Sequence, residues 1–188
     1  MSELHFRSME RADIGELSTL FCAVFSAPPW NEDVSPEEAR RYFENCFSLA
    51  SFRGFVAESG GRIVGLAAGF LKPWRKGMEF YLDEFCVAPS FQGRGIGSRL
   101  LGEIRARLAE EGVFGAMLNT ERAYPAYSFY LKNGFRTPGS RCSCGKHNFE
   151  TIIFQEITYE QCKTGKHGAH HDRDARDRDQ DGLAECPK

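Results

Sequence analysis

The sequence predicts an α/β domain, a mixed β-sheet with helices packed against it. Three observations carry that expectation. An aromatic and apolar run from Phe80 to Val87 is followed by the turn Ala88-Pro89-Ser90-Phe91 and a glycine-rich segment, after which Leu100, Leu101, Ile104 and Leu108 recur at helical spacing. Ser59-Gly60-Gly61 between two apolar runs is a tight-hairpin signal. Along the whole chain, strand and helix patterns alternate in the order β-α-α-β-β-β-α-β-α-β-β.

Taken in order, Leu4 to Arg7 reads as a short edge strand. Asp13 is placed to cap a helix whose apolar side is Ile14, Leu17, Leu20, Phe21, Val24 and Phe25. Ser26-Ala27-Pro28-Pro29-Trp30-Asn31 breaks that helix. Ser35-Pro36-Glu37-Glu38 is a capping box with proline at the first helical position, opening a second helix through Tyr42 and Phe43 to about Phe47. Phe52–Glu58 and Arg62–Phe70 are the hairpin strands, and Leu71–Glu79 reads as a longer connection into the strand Phe80–Val87. Gly112 stops the next helix, Val113–Leu118 is a strand, and a helix runs from Tyr124 or Pro125 to Lys132, closed by Asn133-Gly134. Phe135–Thr137 and Phe149–Thr158 are the last strands.

The chain has 188 residues, enough for one domain with a substantial core, and a net charge of −2. That balance gives no nucleic-acid footprint, and no apolar run is long enough to span a bilayer. Seven cysteines at irregular spacing, with Cys22, Cys46 and Cys86 inside apolar segments, read as reduced thiols of a cytoplasmic protein. The expected organisation is a folded domain over residues 1–160 and a tail over 161–188 whose dense, balanced charge predicts disorder.

Strand, glycine turn and helix in that order form an anion site, because the first helical N–H groups lack partners and carry partial positive charge. A Walker loop is excluded by the missing Gly-Lys-Ser/Thr, and a dinucleotide fingerprint by Ser98 and by two carboxylates in the preceding strand. Gln92-x-x-Gly95-x-Gly97 after a strand ending Val-x-Pro resembles the pyrophosphate loop of the GNAT superfamily of N-acetyltransferases. Ala126-x-x-Phe129-Tyr130-x-Lys132-x-Gly134-Phe135 resembles a second signature of that family, in the right order and separated by a strand. The resemblance covers Leu4 to Thr158, most closely Phe80 to Phe135, and implies acetyl-CoA as co-substrate and N-acetyl transfer as the activity.

By that resemblance, the coenzyme is held by Gln92, Gly93, Arg94, Gly95, Ile96, Gly97 and Ser98, by backbone groups of Phe85, Cys86 and Val87 where the strand bulges, and by Asn119. Tyr130 matches the tyrosine that stands beside the coenzyme sulfur and serves as the acid, with Tyr127 and Tyr124 one and two turns away as alternatives. For the base there are two carboxylates, Asp83 and Glu84. Strand alternation puts them on opposite faces, and Asp83, expected to share a face with Tyr81, Phe85 and Val87, is the first choice as base or amine-orienting group, directly or through a water. Asp83 also falls where some aminoglycoside 6′-N-acetyltransferases, the members this chain is most similar to in flavour, carry an aspartate. Glu84 is the second choice, and a pair neutralised by neighbouring arginines is the bland reading.

Trp30, Trp74, Glu79 and Tyr81, with the two carboxylates, are the expected acceptor contacts, and they suit an amine-bearing small molecule. The alternatives are an acetyltransferase acting on a protein or peptide, and a non-catalytic acyl-CoA-binding module. No metal is expected: Cys142-x-Cys144-x-x-His147 lacks a fourth ligand, and Asp177-x-Asp179-x-Asp181-Gly182 has Lys188 where a calcium loop needs glutamate. The expected partner is a small-molecule amine, with no nucleic acid and no membrane, and a homodimer is admitted beside a monomer.

Overall fold

The computed structural model describes residues 3–137 and 149–155. The elements are β1 (Leu4–Ser8), α1 (Ile14–Phe25), α2 (Pro36–Cys46), β2 (Phe52–Ser59), β3 (Arg62–Trp74), β4 (Gly77–Val87), α3 (Ile96–Glu110), β5 (Val113–Glu121), α4 (Pro125–Lys132) and β6 (Phe149–Gln155). The strands form one sheet in the order β1-β2-β3-β4-β5-β6, with every neighbouring pair antiparallel except β4 and β5. The mixed α/β fold and its element order follow the sequence reading. The expected strand at Phe135–Thr137 is reduced to a single bridge between Arg136 and Ile153.

Two apolar clusters lie on the two faces of the sheet. On one, Leu17, Phe21 and Val24 of α1 and Ala39 and Phe43 of α2 pack on Val56, Leu66, Ala68 and Cys86. On the other, Leu100, Ile104 and Leu108 of α3 and Tyr130 of α4 pack on Phe55, Ala67, Phe80, Leu82 and Val87. Burying one such aliphatic side chain contributes about 1.5–3 kcal/mol, so both helix layers are fixed chiefly by these contacts.

Local signals were realised unevenly. The Ser35 hydroxyl accepts from the Glu38 N–H at 3.2 Å, and the Glu38 carboxylate accepts from the Ser35 N–H at 2.9 Å, closing the expected capping box. Gly60 and Gly61 both take positive φ in the β2–β3 turn, where other residues would be strained. Asp13, by contrast, does not cap α1 through its side chain. Its carboxylate accepts two bonds from Arg7, at 2.7 and 2.9 Å, and one from the Glu10 N–H. The Arg7 guanidinium holds that carboxyl below its usual range. Nor is Leu71–Glu79 a loose connection. β3 and β4 continue as a ladder to Trp74↔Gly77, so only Arg75 and Lys76 lie in the turn.

Candidate active site

The centre of the candidate site is an irregularity in β4. The β3–β4 ladder pairs Gly69 with Leu82 and then Ala68 with Glu84, so Asp83 is an extra residue opposite one step of β3. Gly69 permits this. A Cβ there would lie 2.3 Å from the Tyr81 carbonyl oxygen and 2.5 Å from the Phe80 ring.

The extra residue resets the alternation of the strand. Leu82 and Phe85, three apart, both pack on the α3–α4 face, as does Val87. Glu84 is paired with Ala68, which belongs to the α1–α2 face, and the Tyr42 hydroxyl of α2 donates to Asp83 Oδ2 at 2.8 Å. Both carboxylates therefore stand on the α1–α2 side. The expectation that they point to opposite faces, with Asp83 beside Phe85 and Val87, is corrected by the bulge.

A second departure lies on the other edge of β4. Its parallel pairing with β5 covers Met78–Tyr81 against Val113–Met117 and then ends, while β5 continues paired to β6 as far as Glu121. Among the described residues, the β5-facing edge of β4 has no ladder partner from residue 82 to 87. The strands part beside Asp83, Glu84, Phe85, Cys86 and Val87, leaving backbone N–H and C=O groups available in the gap.

Just beyond the gap, the chain turns into α3. Gln92 Nε2 donates to the Val87 carbonyl at 2.9 Å, and the Ala88 N–H donates to Val64 at 2.8 Å, tying the loop to the strand end. Gly93 and Gly95 have φ of 71° and 77°, and nothing lies within 4 Å of a Cβ built on either. Gly95 occupies the N-cap position of α3 without a side-chain cap, so the N–H groups of Ile96, Gly97 and Ser98 face the loop unpaired within the helix. The Arg94 guanidinium sits 5.3 Å from the Phe91 ring centroid, beside that loop. Gly97 lets α4 close on α3: its Cβ would meet the Phe129 ring at 3.1 Å.

The titratable groups around the gap are perturbed. Glu84 is partly buried, its carboxyl makes no hydrogen bond or ion pair with the described residues, and it is pushed up to about 8 by burial, then by Asp83 and Glu32. Tyr130 is buried among Phe85, Phe129 and Phe135, with its phenol raised by burial and then by Glu84. Tyr42 is likewise raised by burial and then by Glu84 and Asp83. Glu84 thus lies within electrostatic reach of phenols on both helix layers. The thiols of Cys46 and Cys86 are raised by burial, which marks them as unreactive core groups.

Of the expected acceptor contacts, Tyr81 and Trp30 are near this region and Trp74 and Glu79 are not. Tyr81 accepts a 3.2 Å bond from Asn119 Nδ2, a link across β4 and β5 where they separate. Trp30 lies edge-on to Phe25 at 5.5 Å and to Tyr124 at 6.1 Å. Trp74 is half exposed beside the β3–β4 turn, flanked by Lys72 and Arg75, and Glu79 pairs with Lys72 near the same end. Sequence reasoning expected a bulge around Phe85–Val87, and the ladder places it at Asp83; it gave no role to Tyr42 and did not connect Glu32 with Glu84. An isolated glycine inside a strand, Gly69, was the signal for the bulge; nothing local marked Tyr42 or Glu32.

Among the described residues, no group of three or more His, Cys, Asp or Glu is placed to hold a metal, and no helix is long and apolar enough to cross a membrane. The Cys142, Cys144 and His147 pattern, the Asp177–Gly182 pattern and the tail 161–188 lie outside the described residues.

A mixed sheet that parts beside a glycine-led, uncapped helix is the architecture of the acyl-CoA N-acyltransferases. The model of the Acetyltransferase (GNAT) family matches residues 17–135, and the chain belongs to that family. Membership supports acetyl-CoA-dependent acyl transfer in general. Solved structures agree on the fold. PaiA N-acetyltransferase from Thermoplasma acidophilum, in complex with coenzyme A, is 17% identical with a TM-score of 0.63, over 81% of this chain and 99% of that one. A spermidine N-acetyltransferase chimera, SpeG from Vibrio cholerae with hSSAT, is 18% identical with a TM-score of 0.64, over 87% and 99%. RimL, a ribosomal L7/L12 α-N-protein acetyltransferase in complex with coenzyme A, is 16% identical with a TM-score of 0.66, over 84% and 96%. No curated protein matches the chain. The acceptors named for these structures are a polyamine and a protein N-terminus, so they carry over no aminoglycoside acceptor.

Proposed function

We propose that this protein transfers an acetyl group from acetyl-CoA to a primary amine of a small molecule, by direct attack with both substrates bound. The observation that carries the reading is the gap between β4 and β5, which opens beside Glu84 and ends at the glycine-led start of α3. The residues present fit the coenzyme: backbone N–H groups at Gly93–Ser98, with Arg94 beside them, suit a diphosphate, and the free edge at Phe85–Val87 suits an amide-bearing arm.

Acetyl-CoA supplies the acetyl group already activated as a thioester. The chain's residues then have four tasks. Glu84 takes the proton of the attacking amine. Its raised pKa, about 8, brings it closer to that of an alkylamine than an ordinary carboxylate would be, which favours proton transfer near neutral pH. Asp83, tied to Tyr42, orients the amine rather than taking its proton. Free backbone N–H groups at Phe85–Val87 receive the negative charge that develops on the acetyl oxygen. Tyr130 returns a proton to the departing sulfur; burial among three aromatic rings keeps its hydroxyl protonated until then.

Thiol release from acetyl-CoA across a panel of amines tests this, with Glu84→Gln, Asp83→Asn and Tyr130→Phe beside the parent. We expect amine-dependent release that rises with pH through about 8 in the parent and collapses in Glu84→Gln. An aminoglycoside belongs in that panel as one polycationic amine. A protein N-terminus is the second reading, favoured by the RimL likeness. Coenzyme binding with no release for any amine would instead support a non-catalytic acyl-CoA module. The buried thiols Cys46 and Cys86 support a reducing, cytoplasmic setting.

A further inference from the structure

We propose that the contact between Trp30 and Tyr124 is a gate that sets the width of the acceptor slot and restricts it to slender, unbranched primary amines. The inference rests on the acetyl-transfer reading above and adds what the enzyme admits and what it turns away.

The two rings come from opposite sides of the opening. Trp30 belongs to the connection between α1 and α2 and leans on Phe25 of α1. Tyr124 stands at the N-cap of α4, just past the end of β5, and its N–H bonds to the Glu121 carbonyl at 3.1 Å. Their edge-to-face contact, 6.1 Å between centroids, therefore joins the α1–α2 layer to the β5–α4 corner, across a sheet whose β4 and β5 have already parted. An edge-to-face aromatic pair is favourable enough to bias a gate closed and weak enough to be opened.

The Trp30 segment also neighbours Glu84. Glu32, two residues on, is close enough to Glu84 to help raise it. The segment is also held. The Asn31 N–H donates to Ala27 at 3.1 Å, the Glu32 N–H donates to Phe25 at 2.9 Å, and Asn31 adopts a positive φ of 51°. At the other end, the 3.2 Å bond from Asn119 to Tyr81 spans β5 to β4. The acceptor thus enters between two cross-links, past Tyr42, Tyr81, Trp30 and Tyr124 toward Glu84. Aromatic walls suit a methylene chain carrying an ammonium group. A peptide N-terminus, whose Cα carries both a side chain and the rest of the chain, needs the rings apart.

The test compares kcat/KM for 1,4-diaminobutane and for a tetrapeptide with a free N-terminus, in the parent, Trp30→Ala, Tyr124→Ala and Tyr124→Phe. The parent is expected to prefer the diamine. Either alanine variant should cut that preference by roughly tenfold or more, whereas Tyr124→Phe, which keeps the ring, should retain it. A merely structural role would slow both acceptors alike and leave the ratio unchanged, and that result overturns the gate, as does a parent that treats both acceptors equally. If coenzyme A binds but neither acceptor drives thiol release in any variant, the acetyl-transfer reading falls and takes the gate with it. Should the alanine variants fail to fold, Trp74→Phe leaves Trp30 as the only tryptophan of the two in the chain. Its emission should then shift as the diamine saturates the enzyme; a diamine that is acetylated without moving it overturns the gate.

Discussion

The two halves of β4 differ in almost everything but their backbone continuity. From Met78 to Tyr81 the strand is paired on both edges, with β3 and, past a register shift at Met78/Glu79, with β5. From Leu82 to Val87 it is paired, among the described residues, with β3 alone, carries a bulge, and presents two carboxylates to one face. The first half is a structural strand. The second half is a strand from which one partner has been withdrawn, so that its polar groups face a gap instead of a ladder. The lesson is that the site is made by removing hydrogen bonds from an ordinary element, and Gly69, in the neighbouring strand, makes that affordable by accepting the bulge without a clash.

The largest effect should come from the second half. Glu84→Gln is expected to lower kcat/KM by about 10²–10⁴-fold while leaving coenzyme A affinity unchanged, as loss of a general base does; an equal loss in Asp83→Asn would return the role to Asp83. The same variant should change the pH dependence of stability. Glu84 is raised from 4.5 to about 8 in the folded chain, so between those values the folded state holds a proton that the unfolded chain has released. Stability attributable to this group is therefore complete below the lower value and declines as pH rises through the upper one. Thermal melts of the parent against Glu84→Gln from pH 5 to pH 9 read this directly: the decline should flatten in the variant.

Next in size is the hinge between the halves. Gly69→Ala places a Cβ 2.3 Å from the Tyr81 carbonyl, and overpacking of that kind costs about 1–3 kcal/mol. Denaturant unfolding should show the loss, and an unchanged midpoint would mean the bulge tolerates a methyl group. Smaller still is Tyr42→Phe, which removes the bond to Asp83; a net cost of about 1 kcal/mol in kcat/KM, roughly fivefold, is expected, with the fold intact. The first half supplies the control. Trp74→Ala, at the exposed end of the β3–β4 hairpin, should move stability by less than about 0.5 kcal/mol and leave kcat/KM unchanged. A large loss there would extend the acceptor site to the wrong end of the strand.

The residues made most of the fold legible, because periodicity, the Ser35 capping box and the paired glycines at 60 and 61 act locally. The glycine loop was legible for the same reason: Gly93 and Gly95 are where positive φ is required. What sequence could not supply was decided between strands. Alternation misassigned the faces of Asp83 and Glu84, since one extra residue in the register reverses everything after it. Asp13 was misassigned because Arg7, six residues away in another element, competes for its carboxylate. Tyr42 and Glu32 reach the site only through the packing of α1 and α2 on the sheet, and no local pattern encodes that contact.

The most direct measurement is a crystal structure of the protein grown with coenzyme A. The account predicts the diphosphate on the backbone N–H groups between residues 92 and 98, and the pantetheine arm along the free edge of residues 82–87. A coenzyme seated elsewhere, or β5 found zipped to the second half of β4, would contradict it.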